Sequence, residues 1–593
     1  MAWRPEAEPA GALADTLSHT MDAASAWTAA QDAPGLRLWT TRRDPPDLRF
    51  DADRDTAIVG TLFDHMGDRN GAEGSGDAVG TARQLSRSHW GRYIALLRDR
   101  GGDPWCVYRD PSGAMPAFTW SLTDGVSVVA SQIDELPPGL GPRRPALNWD
   151  RIAEFVAKPA ACATGVLVDD VIPVHPGQLI RLGSPTRIET IWSPSTFAAD
   201  PIDDAQVAGC ELKRRVTACT TSLVGHYDRL LLEVSGGLDS AILAGTLHMT
   251  GQAFRITEGL NIAFGRPESD EQAYATAVAE RAGLRLIERT HAPDALDLED
   301  LAEMASEFRP SANAVDPKWD RDEIDRLRAT GAQAIVSGQG GDAMFMQMSG
   351  AGVVADAWAR GGWATFREPV LADVARRNRR SVWSLLRDAR AERQGRAPPP
   401  EALWSSLITR EVRDATLDLK PRWLEDAEAA GLPPGKQLHV HALGRFFLNE
   451  GPSRRRREAD ILYPLFAQPV VEQALRIPTP ILAGANYDRA YARDVFADRL
   501  PDIVRARRAK GLVTVYFARL IANSLPVLRP FLVDGCLAEA RILDRAKLEQ
   551  ALTVEHLIWA AKPSDILWAV AAEAWVRHRQ SRVPDSASAP RHR

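Results

Sequence analysis

The sequence predicts two folds in series: an N-terminal α+β domain built on a β-sandwich over residues 1–195, and an α/β domain with a parallel, doubly wound sheet and added helices over 205–580. Three observations predict them. Short apolar or alternating runs separated by Gly, Pro and Asp fill the first part, as in antiparallel sheets packed face to face. From about Ala205 the pattern changes to strands alternating with helices, which implies a parallel sheet. One strand-loop-helix unit in that second part carries the glycine-rich polar sextet Ser235–Ser240.

In chain order, the runs 93–98, 105–109, 117–120 and 126–131 are the expected strands of the sandwich, and 171–180 closes it. A connection rich in Pro, Ser and Asp, from about Ser193 to Asp204, marks the boundary. An amphipathic helix over about 205–223 then leads into the apolar strand 230–234. Further strands are expected at 261–264, 285–289 and 332–336, with a helix over 268–281 between the first two. Beyond Phe345 the chain reads as helical and locally basic, with a surface linker at 395–400, and 581–593 reads as a disordered tail. Trp358, Trp363, Trp383, Trp404 and Trp423 fall in this helical part; most are expected in the core, some along a groove.

Composition excludes little but directs the rest. The 593 residues carry a net charge of -6, which favours no nucleic-acid partner. No apolar run reads as long enough to span a bilayer, and residues 1–8 lack the basic-then-apolar order of a signal peptide, so the expected compartment is the cytoplasm. The five cysteines form no CxxC pair and are expected as small core residues. His439 and His441 are a close pair without a third ligand, an incidental spacing more often than a metal site.

The chemistry lies in two loops. In Ser235-Gly236-Gly237-Leu238-Asp239-Ser240, glycines let the backbone approach a ligand, and amides at the start of the next helix point at an anion. Asp239 would be misplaced beside phosphates unless a cation stood between them, so the loop asks for Mg2+ on ATP or pyrophosphate. A second loop, Ser337-Gly338-Gln339-Gly340-Gly341-Asp342, ends another strand of the same expected sheet and brings Asp342 toward Asp239. A single such loop could be a plain glycine turn; two at equivalent strand ends argue for a site.

The first sextet resembles the pyrophosphate loop of ATP pyrophosphatases, and the two loops together resemble the synthetase domain of the asparagine synthetase superfamily. Trp90–Tyr93, Arg109–Gly113 and Val174–Gly177 are similar to landmarks of that superfamily's class II glutaminase domain. The resemblance implies that Ser235, Gly236, Gly237, Leu238 and Ser240 hold pyrophosphate and that Asp239 and Asp342 carry Mg2+. It also implies that the strand end at Ala263 and Phe264 meets adenine through its backbone, and that Gly338, Gln339 and Gly340 line the nucleotide.

The departures narrow the class. The glutaminase nucleophile of the superfamily is a cysteine exposed when Met1 is removed, whereas residue 2 here is Ala. The amine is then expected from the substrate itself. Gln339 stands where asparagine synthetases carry an acid, and a neutral amide cannot take a proton from ammonium. Tyr463–Glu472, Tyr487–Arg493 and Arg505–Gly511 are similar to lasso-peptide cyclase sequence. This resemblance implies an ATP-dependent macrolactam synthetase. Its expected partners are a lasso precursor or core peptide, a leader peptidase and a precursor-recognition protein. The alternatives are an asparagine- or β-lactam-type synthetase and an ATP-binding peptide scaffold.

Within that resemblance Lys510 matches a lysine that stabilises the oxyanion, a contribution of about 3 kcal/mol if it acts like an oxyanion-hole donor. Solvation of a basic run is its plain alternative. Asp460, four residues before Pro464, takes the position of the family's glutamate and is a candidate general base; a cap or salt bridge beside Arg454–Arg457 is the alternative. The four arginines themselves read most simply as a solvated cationic turn.

Overall fold

The computed structural model describes residues 1–41, 48–51, 54–65, 76–99, 104–131, 136–142, 146–183, 185–264, 271–303, 309–310, 316–396, 404–449, 453–508, 513–559 and 562–581. The chain forms two compact units, residues 1–151 with 164–193, and residues 152–163 with 194–593. The second boundary falls at the Pro/Ser/Asp connection. The excursion 152–163 departs from a contiguous first domain for a local reason: the Ala157 carbonyl accepts from the Ser405 amide at 2.9 Å, and Phe155 packs edge-on against Trp568.

In the first unit a six-stranded antiparallel sheet runs in the order Arg187–Thr190, Gln178–Arg181, Cys106–Arg109, His89–Leu97, Thr56–Asp64, Leu48–Phe50. Alternation along its strands sorts the side chains. Ile94, Leu96, Val107 and Ile180 join Leu36, Val129 and Ile172, which belong to the strands Leu36–Thr41, Ser127–Ala130 and Ile172–Pro173, in one apolar cluster. Tyr93, Ala95, Leu97 and Tyr108 pack on the other face against Ala78, Ala82 and Leu85 of the helix Ala78–Ser88. Asp77 caps that helix by accepting from the Gly80 amide at 2.6 Å.

The second unit is built on a five-stranded, wholly parallel sheet in the order Leu286–Thr290, Ile256–Ala263, Leu230–Glu233, Ala334–Val336, Asp460–Leu462. From the central strand the chain moves outward twice in one direction, then returns to build the other side. The switch therefore lies between Leu230–Glu233 and Ala334–Val336, and ligands of such sheets bind beyond the carboxyl ends at that crevice. Both glycine-rich loops leave the sheet there. The fifth strand has no counterpart in the sequence reading: it begins on the exposed Asp460 and only Ile461 and Leu462 follow as apolar residues.

Several expectations are corrected. The helix starting at Thr514 is, over 514–539, long and apolar enough by length and composition to cross a membrane, contrary to the sequence reading. Its polar groups have partners within the unit: Tyr516 Oη donates to Asp316 at 2.8 Å, and Ser524 Oγ accepts from the Leu296 amide at 2.8 Å. Of the five tryptophans, Trp404 and Trp423 are buried while Trp363 and Trp383 are exposed. Cys106 and Cys219 are core residues, whereas Cys210 is exposed. Residues 397–400 of the expected linker and 582–593 of the expected tail lie outside the described residues.

A buried ion in this unit makes a pH prediction. Burial pushes the Lys436 ammonium down to about 7 despite the nearby Asp356 carboxylate, and its Nζ donates to the Ile477 carbonyl at 2.6 Å. Between that value and the ordinary lysine range the unfolded chain binds more protons, so this group makes stability rise with pH across that window, by at most about 1.4 kcal/mol per pH unit. Lys436→Met removes the slope. Melting temperatures of wild type and variant at pH 7 and pH 9.5 should show the wild type gaining on the variant as pH rises; parallel curves would contradict it.

Candidate functional site

Glycine geometry sets the first loop. Gly236 has φ of 69°, and a Cβ there would stand 2.8 Å from the Ala275 amide nitrogen and from the Glu271 carbonyl oxygen. The loop is thereby seated on the start of the helix Gln272–Ala282, and Gly237 opens the helix Leu238–Met249, whose first turn carries Asp239. Arg507 reinforces it from outside: its guanidinium donates to the Gly236 carbonyl at 3.2 Å and to Glu271 at 2.6 Å. In the second loop Gly340 takes φ of 96°, and the turn Gly341–Met344 presents Asp342.

The two loops interlock. A Cβ on Gly341 would clash with the Asp239 carboxyl group and stand 2.8 Å from its Cβ, and one on Gly338 would stand 2.9 Å from the Ser240 amide nitrogen. Gly341→Ala should therefore displace the Asp239 carboxylate while leaving the sheet intact. ATP binding, followed by equilibrium titration with Mg2+ present, is expected to weaken at least tenfold with an unchanged far-ultraviolet circular dichroism spectrum; unaltered binding would refute the packing argument.

Asp239 and Asp342 converge on one cationic point, Arg489. Its Nη1 donates to both carboxylate oxygens of Asp239, at 3.0 and 2.9 Å, and to Asp342 Oδ1, while its Nε donates to Asp488 Oδ2 at 2.8 Å. Arg489 is 2% exposed and has the left-handed φ of 48°, a conformation non-glycine residues adopt rarely. Burial works against its charge, but the Asp239, Asp342 and Asp488 carboxylates outweigh burial and hold its pKa above the ordinary arginine value. The sequence reading quoted this segment without assigning Arg489 a role.

That geometry fits a divalent ion. Two carboxylates lie close enough to touch one cation, and no group of three or more His, Cys, Asp or Glu side chains able to hold a metal occurs among the described residues. The remaining ligands of a Mg2+ at Asp239 and Asp342 would come from phosphate oxygens and water, as Mg2+ prefers in nucleotide sites.

Beside the loops opens a cavity of about 660 Å3. Ser235, Asp239, Ser240, Gly338, Gln339, Gly340 and Asp342 form part of its wall, and Met346, Leu438, Phe446 and Trp568 give it an apolar side. His439 also lines it. Burial, with the neighbouring Lys436 charge, drives that imidazole's pKa well down, so it is neutral at physiological pH.

The other sequence-selected residues fall elsewhere. Ala263 ends and Phe264 follows the strand Ile256–Ala263, beside the central strand; Phe264 packs on Tyr516 and Trp319, and neither residue is in the cavity wall. Gly236, Gly237 and Leu238 shape the loop behind the wall. Asp460 is not brought to the mouth. It pairs with Ala334 at the start of its strand, two residues upstream of the carboxyl end, is exposed, and accepts from Tyr227 Oη at 2.6 Å. This placement removes it from the carboxyl-end crevice, and with it the basis for its role as the base. Lys510 lies outside the described residues.

The arginine run is also corrected. Arg454 and Arg457 are exposed, but Arg455 is buried and lines the cavity, donating to Glu233 at 3.1 Å and to Glu323, with Asp320 3.3 Å away. Glu233, the last residue of the central strand, escaped the sequence reading. An acid ending an otherwise apolar strand was the available signal.

A parallel sheet with a glycine-rich loop and paired carboxylates at its switch point is the arrangement of an α/β nucleotide-dependent enzyme. The asparagine synthase family model matches residues 228–577, more than half of the chain, and the protein belongs to that family. It is thereby one of the ATP-dependent, AMP-forming ligases that make amide bonds. Comparison with curated proteins gives no match.

Proposed function

We propose that the protein is a lasso-peptide macrolactam synthetase. ATP adenylates an Asp or Glu side chain of a core peptide, pyrophosphate departs, and the peptide's own α-amine displaces AMP to close an isopeptide bond. The observation that carries this reading is the cavity wall, which joins the nucleotide loops and the neutral Gln339 to an apolar and aromatic surface of Met346, Leu438, Phe446 and Trp568. A peptide's body can use such a surface, while Glu233, Arg445 and Arg455 of the same wall offer charged partners to its ends.

Ser235, Ser240 and the amides opening the Leu238–Met249 helix bind phosphate. Asp239 and Asp342 would hold Mg2+, which would neutralise the charge that grows on the departing pyrophosphate. Lys510 meets the oxyanion. The apolar part of the wall limits water at the activated carboxyl, and holding both ends of one chain together raises the effective concentration of the amine. A leader peptidase and a precursor-recognition protein prepare the peptide.

The reading is tested by AMP release with different carboxylates. The precursor peptide processed by its leader peptidase should stimulate AMP formation, and aspartate with ammonia should not. The reverse pattern would move the protein to the asparagine- or β-lactam-type branch.

A further inference from the structure

Glu233 ends the central strand two residues before Ser235, and its side chain, 25% exposed, enters the same cavity wall as Ser235, Ser337 and Gln339. Ser337 Oγ donates to its Oε2, and Arg455 Nη1 donates to its Oε1 at 3.1 Å. Each carboxylate oxygen has two acceptor sites, so capacity for a proton remains.

Arg455 is shared. It also pairs with Glu323 and Asp320 on the helix Pro317–Thr330, and Trp319 Nε1 from that helix donates to Glu323 Oε1 at 2.8 Å. Three carboxylates thus compete for one guanidinium. Burial, then the Glu323 charge, raise the Glu233 pKa against the lowering by Arg455 and Ser337; burial also pushes Asp320 up to about 6. This is the environment of a proton acceptor working near neutral pH.

We propose that Glu233 is the general base of amide formation, with Arg455 and Ser337 as its positioning residues. As the amine nitrogen bonds to the acyl carbon, its N–H bond breaks and the proton passes to a Glu233 carboxylate oxygen. The electron pair of that bond stays on nitrogen. The carbonyl π pair moves onto its oxygen as nitrogen bonds, and returns to re-form the carbonyl as the acyl carbon–oxygen bond to AMP breaks, whose own pair leaves with the phosphate. Because any amine acceptor must lose a proton, the proposal rests on the family's amide-forming chemistry and holds for a peptide or a small substrate.

The test compares Glu233→Gln with wild type on whichever carboxylate the wild type adenylates, core peptide or aspartate. It reads ATP–pyrophosphate exchange and amide product separately. Amide formation at pH 7 is expected to fall at least a hundredfold more than exchange does. Hydroxylamine is so weakly basic that the ammonium formed as it attacks sheds its proton to water without a positioned base, so it should recover acyl transfer in the variant as the hydroxamate. Equal losses in both readouts, or no loss, would overturn the proposal.

Ser337→Ala provides a second measurement should the glutamine variant fold poorly. Losing a donor to the charged carboxylate raises its pKa, so the acidic limb of the amide-formation pH profile should move to higher pH; an unmoved limb would count against Glu233. A wild type that converts aspartate but not peptide would remove the peptide reading alone, and the Glu233 comparison would stand on aspartate.

Discussion

Asp239→Asn is expected to lower pyrophosphate release on the order of a thousandfold, the effect of several kcal/mol withdrawn from the stabilisation of the departing phosphate charge. The substitution is nearly isosteric, so the packing of Gly341 and Gly338 against this side chain persists. What changes is charge: Asp239 and Asp342 cease to be a pair, and Arg489 loses one of its three carboxylates. Quench-flow measurement of pyrophosphate, beside circular dichroism to confirm the fold, checks this. Release within tenfold of wild type would remove Asp239 from the metal position.

Arg489→Met is the larger perturbation of stability. It leaves Asp239 and Asp342 without their shared guanidinium, while Asp488 keeps Arg377 and Arg493; removing one partner of a buried pair costs about 3–5 kcal/mol, and the 41% exposure of Asp342 puts the loss at the low end. The variant should melt well below wild type in metal-free buffer. Added Mg2+, which can now neutralise Asp239 and Asp342, should raise its melting temperature more than that of wild type. A variant that melts with wild type would mean the cluster carries no such strain of charge, and one insensitive to Mg2+ would argue against a metal at these two carboxylates.

The contrast between what could and could not be read from sequence follows from range. Ser235–Ser240 and Ser337–Asp342 were legible because glycines, an acid and a preceding apolar run are local signals, and the strands that carry them are adjacent and parallel in the sheet. Asp460 was misplaced because counting back from Pro464 fixes a distance along the chain and not the direction of a strand, and Asp460 starts its strand where Ser337 follows the end of its neighbour. Arg489 needs a left-handed backbone and, besides the adjacent Asp488, two carboxylates from distant segments, which leave no pattern in one sequence. Arg455 was hidden by its neighbours: of four consecutive arginines, one turns inward to meet Glu233, Glu323 and Asp320. The excursion 152–163 into the second unit depends on Ser405 and Trp568, more than two hundred residues away, and no composition shift announces it.

The central claim is that this site uses ATP to close an amide bond within one peptide. The most direct measurement is the intact mass of a lasso precursor peptide, incubated with this protein, the proposed leader peptidase and Mg2+-ATP, while AMP is counted in parallel. The account predicts a core peptide lighter by one water for each AMP formed, and no such product with Asp239→Asn. A peptide of unchanged mass, with AMP appearing only when aspartate and ammonia or a small β-amino acid is supplied, would contradict it.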